Sequence, residues 1–190
     1  AHILGRQEAD IKENSSDASG QSLAFDAALE KVKKTLRDEE QNAAAQSKRA
    51  QIISAHLGML EDPFLLTSAR ELIAQNKTAA FAWRAAVNKS INVLNSTGNK
   101  LLKERAADYE DICLRVVMEL TGKTSDKTVF EENAVVIVNE LLPYELSLFD
   151  KNVVGVIMAE GSSTAHISIM LKNLGIPSII CAGASVLKIP

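Results

Sequence analysis

The chain changes character near residue 122, and that change limits its possible folds more than any other feature. Before it, apolar residues recur at helical spacing; after it, short β-branched runs alternate with helical stretches. Phe25, Leu29, Val32 and Leu36 stand at offsets of four, seven and eleven, one apolar stripe on a polar helix. Ser22 or Gln21 would begin this helix, and the pattern predicts that it runs on through an Ala-rich stretch to about Ala50. Gly58 and Pro63 punctuate, and Leu65, Leu66, Ala69, Leu72 and Ile73 make a short helix. Thr78 can cap the next one, which carries Ala80, Trp83, Val87, Ile91 and Leu94 on one side. After the turn cluster Ser96-Thr97-Gly98-Asn99, a last helix carries Leu102, Tyr109, Ile112, Val116 and Leu120, with Gly122 placed to end it. Short connections between such helices favour a bundle.

Beyond Lys123 the runs 134–138 and 153–158 are too short for buried helices and suit strands covered on both faces. Pro143 can open a helix that takes in Tyr144 to Phe149. His166 to Leu174 reads as a second helix, ended by Gly175 and Pro177, and residues 178–181 as a third strand. Such alternation argues for a mostly parallel sheet. His2-Ile3-Leu4 could add an N-terminal strand. The predicted architecture is therefore an α/β domain, 1–13 and 123–190, interrupted by an all-α helical-bundle domain, 21–122.

Composition excludes more than it assigns. With 21 basic and 24 acidic residues the chain has no electrostatic footprint for nucleic acid, and no apolar run approaches the ~20 residues that span a bilayer. The start, Ala1-His2-Ile3-Leu4-Gly5, has neither an initiator Met nor a signal peptide, and reads as the start of a piece of a longer, cytoplasmic protein. Cys113 and Cys181 read as two buried free thiols. His2, His56 and His166 are too far apart in sequence to suggest zinc.

Chemistry concentrates in one loop. Ala159-Glu160-Gly161-Ser162-Ser163-Thr164-Ala165-His166 leaves the C-terminal end of a strand and enters a helix. That edge of an open α/β sheet is where ligands bind, and the unpaired N–H groups of the following helix attract an anion. Thr164 can cap the helix and offer its hydroxyl to the imidazole of His166. An imidazole with an ordinary pKa of about 6.5 has a lone pair at neutral pH and can accept a phosphoryl group. The plainer alternative is a polar residue that merely starts a helix. The loop has neither a phosphate-binding lysine nor a GxGxxG pattern, so spacing alone leaves both readings open.

The run from Gly161 to Met170, followed by Leu174-Gly175-Ile176-Pro177-Ser178-Ile179, resembles the phosphohistidine signature of bacterial enzyme I. That enzyme is the phosphoenolpyruvate–protein phosphotransferase of the sugar phosphotransferase system. His56-Leu57-Gly58-Met59-Leu60-Glu61-Asp62 and the segment Leu102 to Ile112 also resemble the family, in its order and at about its spacing. The resemblance implies an α/β phosphohistidine domain interrupted by a helical domain that binds HPr, a small phosphocarrier. It implies that His166 is the phosphorylated histidine, with Thr164 as a neighbouring hydroxyl and Gly161, Ser162 and Ser163 in the phosphate-binding loop. Arg105, His56, Met59 and Leu60 would belong to the carrier-docking surface. Phosphoenolpyruvate and Mg2+ would bind a separate C-terminal domain of a homodimeric enzyme, with no cofactor held by the present residues.

The sequence departs from the family in several places. Ser162 and Ser163 stand where a glycine and an arginine are usual, Ala165 replaces a serine, and Lys172 an arginine. Leu142 stands where a threonine associated with orienting the histidine usually precedes the proline. Ser47-Lys48 and Pro63-Phe64 replace acidic pairs on the docking helices, which alters steering toward a basic carrier surface. Phe81-Ala82-Trp83-Arg84 and residues 98–102 look most like versions fused to other domains in multiphosphoryl transfer proteins. Two rival readings remain: a degenerate module that binds a carrier without catalysis, and the mobile domain of a phosphoenolpyruvate synthase or pyruvate phosphate dikinase.

Overall fold

The computed structural model describes residues 2–3, 11–42, 47–122, 130–161 and 166–189. The chain divides into two compact units, Ala1–Glu8 with Ser125–Pro190, and Ala9–Thr124. The second is helical and interrupts the first, which is built on a parallel sheet.

In the helical unit, α1 spans Ala18–Gln41, and Asp17 Oδ1 accepts the Gly20 N–H at 2.8 Å to cap it. The helix starts earlier than its apolar stripe suggests and does not continue to Ala50. Asn42 closes it, its N–H and side-chain amide both donating to the Asp38 carbonyl, and Ser47 opens a separate α2, Lys48–Leu60, by accepting the Ala50 N–H. Asp62 caps α3, Pro63–Ala74, with Pro63 in the first turn, where its missing N–H costs nothing. Thr78 caps α4, Ala79–Ser96. The last helix, α5, spans Lys100–Thr121 and gives way to Gly122 at φ +63°, a left-handed turn that favours glycine. Helix α4 packs on α3 and α5, and α1 on α2 and α5. Their shared core holds Phe25, Leu36, Leu60, Leu65, Trp83 and Ile112, all fully buried, with the Phe25 and Trp83 rings 5.7 Å apart.

The sheet has the order β1-β2-β3-β4, with every neighbour parallel: His2–Ile3, Ala134–Val138, Val153–Met158 and Ser178–Ile179. The pairings His2↔Val136, Val136↔Val156 and Val156↔Ser178 align all four strands, so their C-terminal ends share one edge. Val136, Val156, Met158 and Leu171 form the core with Phe130, whose ring meets Phe149 edge-on at 5.6 Å.

Three local details differ from expectation. The segment at Pro143 is a 3₁₀ turn, Pro143–Leu148, because the Glu145 carboxylate folds back to accept the Leu142 N–H at 2.7 Å. Strand β4 ends at Ile179, short of Cys181, which adopts φ +59° and sends the chain back toward β3. Cys181 is accordingly exposed, not buried as expected, whereas Cys113 is buried.

Candidate functional site

The first limb of the loop after β3 is fixed from both sides. Ala159 N–H donates to Val138 O at 2.9 Å and Glu160 N–H to Asn139 O at 2.8 Å, tying it to the end of β2. From beyond β4, Ala182 N–H reaches Met158 O and Gly183 N–H reaches Ala159 O, each at 3.0 Å. The Cys181 thiol donates to Gly161 O at 2.9 Å. Gly161 itself has φ +115°, where a side chain is strained, and a Cβ there would stand 3.4 Å from Ile180 Cγ2.

The far limb is helix α6, His166–Asn173. It is pinned to the sheet by buried Ile167 and Leu171 and closed by Gly175 at φ +70°, with Lys172 in its last turn favouring the helix dipole. His166 thus opens a helix whose N-terminus follows directly from the C-terminal edge of a parallel sheet. Its backbone alone is described, and Ser162, Ser163 and Thr164 lie outside the described residues. Leu142 presents an apolar, buried side chain, 2% exposed, so position 142 supplies no hydroxyl to this edge.

In the helical unit the expected docking residues separate. Arg105 is half exposed on α5. His56, Met59 and Leu60 are 1, 7 and 0% exposed, which corrects their reading as surface contacts: α2 turns them into the core beneath α1 and α5. His56 instead joins a buried polar cluster. Its Nε2 stands 3.5 Å from Asp108 Oδ1 and its Nδ1 3.5 Å from Asp111 Oδ2. Arg115 Nε–H donates to the same Asp111 oxygen at 2.8 Å, and its Nη1 to Glu39 Oε1 at 3.1 Å. Burial would lower the Arg115 pKa, but the Asp111 and Glu39 carboxylates outweigh it and hold the group above its ordinary range. Arg105 Nη1 stands 3.7 Å from Asp108 Oδ2.

One turn from Arg105, Tyr109 lines an open groove of about 330 Å³ with Phe64, Lys89, Ser90, Val93 and Leu94. Phe64 and Val93 are 53 and 62% exposed, and the Lys89 ammonium lies 5.3 Å from the Phe64 ring centre. Partial burial raises the Tyr109 pKa; the Asp62 charge adds to the rise and Arg105 opposes it. Sequence reasoning did not single out this groove. Its one signal was Val93, an apolar residue off the buried stripe of α4. Among the described residues no group of His, Cys, Asp and Glu side chains is arranged to hold a metal.

Residues 1–105 match the family model described as PEP-utilising enzyme, N-terminal, and residues 130–189 match PEP-utilising enzyme, mobile domain. A phosphoenolpyruvate-protein phosphotransferase of Staphylococcus aureus is 31% identical over 176 residues, covering 90% of this chain and 31% of that protein. The Bacillus subtilis protein of the same name is 30% identical over 174 residues, covering 89 and 30%. The chain thus spans about a third of the length of these curated relatives. A solution structure of an Enzyme I protein aligns with a TM-score of 0.67 at 26% identity, covering 99% of this chain and 79% of that one. The N-terminal domain of an Enzyme 1 described as nitrogen-type shares the fold, with a TM-score of 0.69 at 21% identity and coverage of 98 and 80%. The interrupted α/β unit, the helical insert and these matches agree: the chain belongs to the PEP-utilising enzyme family, as an enzyme I-type N-terminal region.

Proposed function

We propose that this chain relays a phosphoryl group through His166 between phosphoenolpyruvate and an HPr-like carrier. The observation that carries the reading is the position of His166 at the start of α6, directly beyond the shared C-terminal edge of four parallel strands. Backbone N–H groups at that helix start suit the equatorial oxygens of a phosphoryl group. In the exchange with a carrier, the lone pair of one His166 ring nitrogen forms the new N–P bond. The carrier's histidine nitrogen leaves with the electron pair of the bond that breaks, so no net proton is consumed. Such transfer asks the protein mainly for alignment and charge stabilisation. Gly161, Ser162 and Ser163 would shape the loop, and Thr164 would hold the other side of the imidazole.

Carrier docking is assigned to the helical unit through Arg105. The groove beside it, which shares helix α5 through Tyr109, would take an apolar side chain of the carrier. Phosphoenolpyruvate and Mg2+ are assigned to a further domain of the whole enzyme, since the curated relatives extend well beyond this region.

Mixing the chain with 32P-phosphorylated HPr should place an acid-labile, base-stable label on it, lost in His166→Ala. Phosphoenolpyruvate with Mg2+ alone should place none. Label from phosphoenolpyruvate alone would overturn the division of labour. Carrier binding without label would favour the degenerate, binding-only reading, for which the apolar, buried Leu142 is the supporting observation.

A further inference from the structure

We infer that His56 and Asp108 are positioning residues for Arg105, fixing the guanidinium that the helical unit offers to a carrier; the inference rests on the docking reading of Arg105 above. Arg105 is the exposed end of a chain of polar side chains that is otherwise largely buried. Its Nη1 meets Asp108 Oδ2 one turn along α5, and the other oxygen of that carboxylate faces His56 Nε2 on α2. Each oxygen of Asp108 thus faces one of the two neighbours, at 3.7 and 3.5 Å, electrostatic contacts without a hydrogen bond. The imidazole is fixed in turn, because its Nδ1 faces Asp111 Oδ2, which also accepts from Arg115. Arg115 is anchored on Glu39 of α1. The series crosses three helices and ends at one solvent-facing group.

Stability alone does not explain this arrangement. A buried ionic cluster is commonly matched or bettered by well-packed apolar residues. An apolar replacement cannot orient an exposed guanidinium, however, and a guanidinium already held in place loses less freedom when a partner docks. Asp108, Asp111 and Arg115 lie at intervals of three and four on one face of α5, the face toward which α2 turns His56.

The test is a double-mutant cycle in the whole chain, read as phosphoryl transfer from 32P-phosphorylated Bacillus subtilis HPr. In single-turnover labelling, His56→Gln and Asp108→Asn should each raise the carrier concentration that gives the half-maximal rate about fivefold or more with the limiting rate within about twofold, and neither should raise it further in an Arg105→Ala background. If either keeps its full effect without Arg105, it acts through the fold and the inference falls. Asp108→Asn is nearly isosteric and carries the cycle if His56→Gln fails to fold, as judged by Trp83 fluorescence. A second readout needs no carrier: the 15Nε–1Hε heteronuclear NOE of Arg105 should fall in both variants. An unchanged NOE overturns the inference whatever the kinetics. If the NOE falls but Arg105→Ala leaves transfer untouched, the positioning stands and the docking reading of Arg105 fails.

Discussion

Asp111 offers a sharp test of what the buried cluster contributes to folding. Its carboxylate is fully buried and receives Arg115, whose side chain is only 8% exposed. Asp111→Leu would leave that guanidinium buried, with Glu39 at 3.1 Å as the remaining carboxylate partner that the geometry identifies. Breaking a buried pair by removing one member costs about 3–5 kcal/mol, and the surviving Glu39 contact places this case near the lower end, about 3 kcal/mol. Glu39 is 29% exposed, so water can solvate it when Arg115 is also removed. The double variant Asp111→Leu/Arg115→Met should therefore recover to about 1 kcal/mol below the parent, the remaining loss coming from buried His56, whose Nδ1 no longer faces Asp111. Urea unfolding followed by Trp83, the chain's sole tryptophan and a fully buried residue of the helical unit, reads this unit selectively. With a slope near 2 kcal/mol/M, the single variant should lose about 1.5 M in midpoint and the double about 0.5 M. A double variant as unstable as the single, or worse, would refute the uncompensated-charge argument and leave packing as the cause.

The two thiols should differ in reactivity, with exposed Cys181 alkylated by iodoacetamide at pH 8 and Cys113 modified only after unfolding, as peptide mapping would show. Burial pushes the Cys113 thiol from 9.0 up to about 12, so the unfolded chain releases that proton first. Its contribution to stability is complete below pH 9 and declines as pH climbs from about 9 toward 12, which urea midpoints across that range would reveal. Gly161→Ala forces a side chain at φ +115° and should destabilise the α/β unit by about 1–3 kcal/mol, seen as earlier amide exchange in β3 and α6. Phe64→Ser, at a side chain already half exposed, should change stability by less than about 1 kcal/mol while weakening HPr binding in a calorimetric titration.

Much of the helical unit was legible because one-sided burial leaves a direct trace in sequence. The stripe Phe25, Leu29, Val32, Leu36 is buried in full, and so are Trp83, Val87 and Ile91. The break between α1 and α2 was not legible, since an Ala-rich stretch favours helix and Ser47 shows itself as a cap only through its bond to Ala50. The 3₁₀ turn at Pro143 was hidden for a similar reason: Glu145 looks like any helix-favouring residue until its carboxylate is seen on the Leu142 N–H. His56, Met59 and Leu60 were misplaced because a short apolar segment does not say which neighbour covers it. That information lies in α1 and α5, far along the chain. Only the apolar stripe of α5 was read from its spacing; that of Asp108, Asp111 and Arg115 on another face was passed over, and no spacing could have named His56 as their partner.

The apolar residue at 142 makes a demand on the rest of the loop. A histidine that accepts a phosphoryl group must present one nitrogen and be held at the other, or its tautomer and ring angle drift. The resemblance gives part of that task to a hydroxyl at position 142, yet Leu142 is buried and its N–H is already taken by Glu145. Glu145 and the 3₁₀ turn satisfy the backbone there without any hydroxyl, so the fold tolerates leucine. The remaining hydroxyl placed by sequence to hold the imidazole is that of Thr164, two residues before His166. Thr164→Val, which keeps the shape and removes the donor, should slow labelling by phospho-HPr about tenfold or more, whereas Leu142→Val should leave the rate within about twofold. Equal rates for Thr164→Val and the parent would show that the imidazole is oriented without the threonine hydroxyl.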